Sequence, residues 1–338
     1  MLNEKNILVT GATGLIGSHI VHEILRESRT AHVYALGRNI KKLESCFSEY
    51  ADDSRLELIQ QDISYPLKLN KKVNYIFHAA SPMEGKIIAN CPVDVVMPNL
   101  AGTVNCLKLL REQEERLAVK GRLVLFSSVT VYGNVTHSEL VVTEKDTQVA
   151  NFLQEEKACY SESKRMSEVI ALAYHRQYNL DIVIARFSTV YGDTFFRPDT
   201  AFFEFLEKSM QGENITLSSN GMPRRDNIFI DDAISGVMAI AEKGISGEAY
   251  NISSGGKKGN FAAVDEIAVL MAEIANKRYA REANGVKVSF KEKISKRNNS
   301  GIILDNSKLE QLGWRLKFSL EEGLLQTFII AEKSGHKS

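Results

Sequence analysis

The chain has 338 residues, 44% of them hydrophobic, and its 42 Lys plus Arg are matched by 42 Asp plus Glu. The length suggests two domains, or one domain with a lobe, around a large core, and the balanced charge gives no general attraction to nucleic acid or to an anionic membrane. Cys46, Cys91, Cys106 and Cys159 show no CxxC pairing or zinc spacing, the seven histidines show no metal-ligand spacing, and no metal is expected.

The start, Met1 to Lys5, lacks the apolar segment of a signal peptide, and no run approaches the roughly 18–20 apolar residues of a membrane span. A soluble, cytoplasmic protein with reduced thiols is the expectation. Strand-like runs fall at residues 6–10, 32–37, 56–60, 73–78, 121–127, 180–187 and 248–253, with helical patterns between most of them. That alternation predicts an α/β protein with a parallel sheet of about seven strands covered on both faces. After residue 187 the pattern loosens. The segments near 188–231 and 277–318 have no place in the sheet and are expected to form a smaller lobe over the strand C-termini, where open α/β sheets bind ligands. The polar stretch Lys291 to Ser300 reads as a surface loop.

The first strand runs into Thr10-Gly11-Ala12-Thr13-Gly14-Leu15-Ile16-Gly17 and then a helical pattern marked by Ile16, Ile20 and Ile24. One glycine serves the tight turn, a second lets a pyrophosphate approach the backbone, and a third lets helix and strand pack closely. The anion would sit on the free N–H groups at the start of the helix near Leu15. A second strand follows where a βαβ unit needs it, which separates this triplet from an ordinary glycine-rich turn.

An acidic residue at the end of that second strand would bind the 2′-hydroxyl of NAD; the chain has Gly37-Arg38-Asn39, then Lys41 and Lys42. A guanidinium suits a 2′-phosphate, so Arg38 either leans the site toward NADP or is a solvated loop arginine. Asp62, with Ile63 beside it, follows the third strand and either accepts an adenine amino group or caps a helix.

Further along, Tyr160-Ser161-Glu162-Ser163-Lys164 lies in a helical pattern from about Glu156 to Tyr178. Tyr160 and Lys164, at i and i+4, share one face. An ammonium there favours the phenolate and draws its pKa down from about 10 toward neutrality, as acid/base work requires. The pair alone would fit an exposed helix face equally well. Upstream, however, the strand at 122–126 runs into Ser127-Ser128-Val129-Thr130-Val131-Tyr132-Gly133, which aims hydroxyls into the expected cleft.

These motifs together resemble the extended short-chain dehydrogenase/reductases, specifically their nucleotide-sugar epimerase/dehydratase group. The resemblance runs nearly end to end. It takes in the glycine turn, His78-Ala79-Ala80-Ser81, Asn99 to Thr103, Ser127 to Gly133, Tyr160 with Lys164, and Arg186 to Gly192. It continues through Arg225 to Asp232, Tyr250-Asn251-Ile252, Asp305 to Lys308, and Leu312-Gly313-Trp314. It implies a Rossmann-type, doubly wound sheet built from residues 1–187 and about 231–276, with about 188–230 and 277–338 forming a substrate-binding lobe. It also implies an NAD(P) cofactor and a nucleotide-diphosphate-sugar substrate. A homodimer joined through helices near 99–116 and 156–178 is implied as well.

Carried over by position, the resemblance makes Tyr160 the acid/base, Lys164 the ribose-binding group that lowers its pKa, and Ser128 the partner of the reacting oxygen. Gly11, Thr13, Gly14, Leu15, Ile16, Gly17, Ala79, Ala80 and Ser81 would line the cofactor, and Asn99 would stand beside it in a structural role. Thr130, Thr189 and Arg225 would face the substrate, Arg225 gripping its diphosphate. A second family arginine falls near Arg297, out of register with Asp305.

Two departures carry information. The group's 4,6-dehydratases have an Asp-Glu pair directly after the catalytic hydroxyl, where this chain has Val129 and Thr130, so dehydration is disfavoured. Decarboxylation, which uses a Glu in this stretch, is disfavoured too. Thr189 stands where the family often has an Asn that binds substrate phosphates. Around Ala80-Ser81-Pro82, Pro92-Val93 and Asn99 the chain nonetheless looks like the decarboxylase branch. Three readings follow: an epimerase that oxidises and re-reduces one sugar carbon, an NADPH-dependent reductase of a 4-keto-sugar nucleotide, and a silent dinucleotide sensor, which should have lost Tyr160 or Lys164. The epimerase is placed first. His78 and Trp314 read as packing residues, and Cys159 as an inert thiol or a thiol-sensitive neighbour of Tyr160.

Overall fold

A computed structural model describes residues 2–82, 85–133, 139–146, 155, 157–217, 224–281, 285–291 and 300–333. Its chain order begins with β1 (Asn6–Thr10), α1 (Leu15–Glu27), β2 (His32–Gly37), α2 (Ile40–Cys46), β3 (Leu56–Gln60) and β4 (Tyr75–His78). There follow α3 (Gly85–Asn90), α4 (Pro92–Leu117), β5 (Arg122–Ser128), β6 (Glu139–Val142), α5 (Ala158–Tyr178), β7 (Asp181–Phe187) and β8 (Thr189–Tyr191). Then come α6 (Ala201–Gln211), β9 (Ile215–Leu217), β10 (Arg225–Phe229), α7 (Ile230–Lys243), β11 (Ala249–Ile252) and β12 (Phe261–Ala262). The last are α8 (Val264–Arg278), β13 (Val288–Phe290), β14 (Gly301–Leu304), α9 (Ser307–Gln311) and α10 (Leu320–Lys333).

The seven expected strands form one parallel sheet in the order β11-β7-β5-β4-β1-β2-β3. Strands buried on both faces need apolar residues at consecutive positions, and their side chains then alternate between two cores. Ile7 and Val9 join Ile20, Ile24 and Val237, from α1 and α7, on one side. Leu8 joins Leu107, Leu110 and Ala171, from α4 and α5, on the other. The fourth strand begins at Tyr75 rather than residue 73 because the Val73 N–H is taken by the Gln113 side chain at 2.6 Å instead of by the ladder.

The order reverses between β1 and β4, so the crevice at the strand C-termini opens there. α4 starts earlier than expected, with Pro92 in its first turn, where a missing N–H costs nothing. α5 is described from Ala158; Glu156 lies outside the described residues.

Outside the main sheet, β8, β10 and β12 form a three-stranded sheet, β9 pairs with β13, and β6 pairs with β14. This last pairing was not anticipated: a strand inside the stretch assigned to the dinucleotide half joins the C-terminal part of the chain, with Glu139 opposite Gly301 and Val142 opposite Leu304. Trp314 is buried as expected, its Nε1 donating to Ser235 Oγ at 2.9 Å and to the Asp232 carbonyl at 3.2 Å. The Asp232 carboxylate accepts the N–H groups of Lys317 and Phe318 and fastens the C-terminal segment to α7. Among the described residues no helix is long and apolar enough to cross a membrane. None of the four cysteines is in a disulfide.

Candidate active site

A cleft of about 830 Å³ runs along the strand C-termini, from the glycine turn past the end of β5 and the start of α5 to β8 and β10. At its floor Gly11 has φ +66, and a Cβ there would lie 2.7 Å from the Ala80 backbone. A Cβ on Gly17 would come within 2.3 Å of the Gly11 carbonyl. Both glycines therefore hold β1, β4 and α1 closer than any side chain allows. Gly14 caps α1, and the first helical bond runs from Ser18 N–H to the Gly14 carbonyl. The N–H groups of Leu15, Ile16 and Gly17 therefore precede the helical ladder and point to the cleft end of α1, where an anion is favoured.

Gly11, Gly14, Leu15, Ile16 and Gly17 line this part of the cleft together with Ala79 and Ser81, whose buried hydroxyl has no partner in the protein. Ala80 lies directly against Gly11. A glycine cradle closed to side chains, an open helix start and an unpaired hydroxyl fit a dinucleotide. Thr13 is half-buried in the turn and is not among the residues lining the cleft.

Arg38 is exposed just past β2, and Gln60 donates to its carbonyl at 3.3 Å. Asp62 caps no helix; its Oδ1 accepts the Ser64 N–H at 2.8 Å and shapes the turn after β3. Ile63 is buried, and its carbonyl accepts from Asn105. These three stand at the ends of β2 and β3 rather than in the cleft proper. His78 is buried with Nδ1 2.8 Å from Thr10 Oγ1, and burial holds its imidazole down to about 3, so it packs as a neutral ring.

Tyr160, Lys164 and Ser128 come together at the centre of the cleft, all buried. Ser128 ends β5 and caps the short turn after it by accepting the Thr130 N–H. Tyr160 and Ser128 share a hydrogen bond. The Lys164 ammonium donates to the Phe126 carbonyl at 2.8 Å and lies 5.9 Å from the centre of the Tyr160 ring. Behind them, Asn99 donates to Ser163 Oγ and ties α4 to α5, in keeping with a structural role.

The electrostatics differ from the expectation for a lone Tyr-Lys pair. Burial pushes the Tyr160 phenol up to about 12, outweighing the Ser128 hydrogen bond, instead of toward neutrality. Burial also pulls Lys164 down to about 7, against the opposing charge of Glu168. An ammonium half-discharged near neutral pH cannot draw the phenol down as a full charge would. At rest the tyrosine holds its proton, and the lysine is the group nearer its titration point.

Thr130, Thr189 and Arg225 line the other end of the cleft. Thr130 Oγ1 is buried without a partner, and Arg225 is exposed. Sequence reasoning missed Ser188, a buried residue of this wall whose hydroxyl also has no partner, and Arg224, which stacks on Phe261 and reaches Glu266 at 3.2 Å. Ser188 lies inside the Arg186-to-Gly192 motif and Arg224 directly before Arg225, and since neither is in a strand, only their place beside motif residues could have marked them. Arg297 lies outside the described residues.

A buried Tyr-Lys pair beside a strand-end serine, opening onto a glycine turn that admits a dinucleotide, defines a dinucleotide-dependent enzyme of the short-chain dehydrogenase/reductase type. Residues 7–253 match the model of the NAD dependent epimerase/dehydratase family, and the chain belongs to that family, within the extended branch of the superfamily. UDP-glucuronic acid decarboxylase 1 of Arabidopsis thaliana is 30% identical over 94% of this chain and 68% of its own length. The NAD-bound UDP-glucuronic acid 4-epimerase of Bacillus cereus superposes with a TM-score of 0.73 at 25% identity, covering 98% of this chain and 97% of that one. The NAD-bound dTDP-glucose 4,6-dehydratase of Bacillus anthracis, at 22% identity over 98% and 97% of the two chains, has a TM-score of 0.76 and shares the fold. The chain is an enzyme of nucleotide-sugar modification, and the silent-sensor reading falls.

Proposed function

We propose that the chain is a nucleotide-sugar epimerase that oxidises and re-reduces one sugar carbon, C4, through a 4-keto intermediate. The observation that carries this reading is the combination of Ser128, Tyr160 and Lys164 with Val129 and Thr130. The machinery for moving a proton and a hydride at a sugar hydroxyl is present, while the positions beside Ser128 offer no group able to protonate or deprotonate a neighbouring carbon. Sequence relatives include decarboxylases, and Val129 and Thr130 set this chain apart from the glutamate chemistry expected of them.

A bound dinucleotide would supply the hydride acceptor in its oxidised form, whose positively charged ring favours the phenolate. Tyr160 and Ser128 hold the reacting oxygen between them; Tyr160, protonated at rest, first gives up its own proton, and its phenolate, supported by Lys164, then takes the sugar's proton on oxidation and returns it on reduction, while Lys164 also holds the ribose. Gly11 to Gly17 receive the pyrophosphate, Ala79 to Ser81 the wall beside it, and Arg38 with Asp62 the adenosine end. Thr130, Thr189 and Arg225 hold the nucleotide sugar, Arg225 at its diphosphate, in the lobe of residues 188–230 and 277–338.

The exposed apolar residues Met97, Met166 and Val169 on α4 and α5 support a homodimer through those helices. Light scattering should show a dimer that Met166→Asp with Val169→Asp separates. Four cysteines outside any disulfide support a cytoplasmic home.

Arg38 favours a second reading, an NADPH-dependent reductase of a 4-keto-sugar nucleotide, and with it a lean toward NADP. An epimerase keeps its cofactor through the cycle, whereas a reductase releases it. Protein purified without added nucleotide is expected to carry a nicotinamide dinucleotide and to interconvert two nucleotide-sugar epimers with no net change in NAD(P)H absorbance. An empty protein that consumes NADPH in proportion to a 4-keto-sugar nucleotide would give the case to the reductase.

A further inference from the structure

Lys164 carries its charge inside the protein, and the carboxylate that answers it stands one turn further along the same helix face. The Glu168 side chain is only 6% exposed. Its Oε1 accepts from Ser127 Oγ at 2.5 Å and from Arg186 Nε at 3.0 Å, and its Oε2 accepts from Arg186 Nη2 at 2.6 Å. Ser127 immediately precedes Ser128, and Lys164 donates to the carbonyl of Phe126, one residue earlier still. One face of α5 thus grips the end of β5 twice. Arg186 is fixed in turn by donating to Tyr132 Oη and to the Glu144 carbonyl, both at 3.0 Å, and Tyr132 donates to Asn251 Oδ1 at 2.7 Å. A buried ion pair of this kind is weak evidence for stability, since apolar residues of the same volume often serve as well. Its place beside the reacting groups gives it another use.

We propose that Glu168 is a positioning residue for the reaction: fixed by Ser127 and Arg186, it supplies the counter-charge to buried Lys164 and holds the end of β5 that carries Ser128. The proposal rests on the reading of Tyr160 and Lys164 as the reacting pair. Lys164 is faced by Tyr160 and Glu168 on α5, by His78 on β4 and by the Phe126 carbonyl on β5, while Arg186 on β7 pairs with Glu168. His78 is neutral, so Glu168 is the anion in this group. Without its charge the Tyr160–Lys164 pair gives up a proton more readily, and the proton lost is the lysine's. That leaves a protonated tyrosine beside a neutral amine, the wrong partition for taking a proton from a sugar hydroxyl.

Glu168→Gln keeps the shape and removes the charge. The acidic limb of its kcat profile is expected to move down by about one pH unit or more, with the plateau lowered about tenfold or more. Glu168→Asp should return the limb toward its wild-type place. A plateau that falls with the limb unmoved would assign Glu168 to folding alone and overturn the proposal. Lys164 can also be titrated without substrate, by NMR of isotope-labelled lysine side chains with the resonance assigned by its loss in Lys164→Met. Its midpoint in Glu168→Gln is expected about one pH unit or more below wild type, and equal midpoints overturn the proposal. An inactive wild type would refute the functional reading while this titration still tests the present one. If the single variant does not fold, Glu168→Gln with Arg186→Met leaves no buried guanidinium without its carboxylate and goes through the same titration with the same expected direction.

Discussion

The two walls of the cleft are built differently. On the β5–α5 wall the polar groups are committed: Lys164 to a carbonyl, Ser127 and Arg186 to Glu168, Ser163 to Asn99. On the β8–β10 wall Ser188 holds a buried hydroxyl with no protein partner and Arg225 stands exposed, and Thr130, in the turn just past β5, holds a further such hydroxyl. A committed wall fixes a geometry, as chemistry demands, because misplacing a reacting atom by about 1 Å can cost two orders of magnitude in rate. A wall with unspent donors waits for a ligand to complete it, as selectivity demands. Substitutions on the first wall should change turnover, and those on the second should change which substrate is held and how tightly.

The largest effect is expected from Tyr160→Phe, which should lower kcat by about 10²–10⁴-fold with dinucleotide affinity almost unchanged, read by steady-state kinetics beside calorimetric titration. Retention of a third of the activity would erase the contrast between the walls.

Next comes a test of how firmly the committed side is buried, through the stability of the fold against pH. Burial holds folded His78 at about 3 against its usual 6.5, so the unfolded state binds the extra proton in that window. Stability present above pH 6.5 should be lost as pH falls toward 3, at up to about 1.4 kcal/mol per unit. Asp226, whose carboxyl burial pushes up to about 6 from 3.8, works in the opposite direction across part of the same range. Urea midpoints of His78→Gln and wild type should therefore converge as pH drops below 6.5; parallel lines would mean that the imidazole is not buried neutral.

On the open wall, Arg225→Ala should raise KM for the nucleotide sugar with kcat nearly kept, a loss of about 1.5–3 kcal/mol if the arginine meets a charged diphosphate. Equal losses in kcat and kcat/KM would move Arg225 to the chemical side. The smallest effect belongs to Ser188→Ala, about 1 kcal/mol in substrate binding and little in stability, because the hydroxyl it removes has no partner inside the protein.

The committed half of the molecule was the legible half. Apolar runs of β1, β2, β5 and β7 and the glycine turn are local signals, and each strand of the main sheet lies within a residue or two of its sequence pattern. Ser128, Tyr160 and Lys164 were readable because a short motif fixes their spacing. What escaped depends on the fold. Glu168 and Arg186 gain meaning only when β5, α5 and β7 are side by side, and the upward shift of Tyr160 comes from burial that no spacing reveals. The short strands β6, β9, β13 and β14 have four residues or fewer, too few to show a period, and pair across long stretches of chain.

One of those pairings bears on how the protein comes into being. β6 follows Ser128 closely, yet its partner in the ladder is β14. A chain that ends just after Lys164 would already hold the three proposed reacting groups, but β6 has no ladder partner without residues 301–304. Contacts this distant in sequence form late, because the loop must close before they add stability. Until β14 arrives, β6 has an unpaired edge, the kind of surface on which another chain can add a strand.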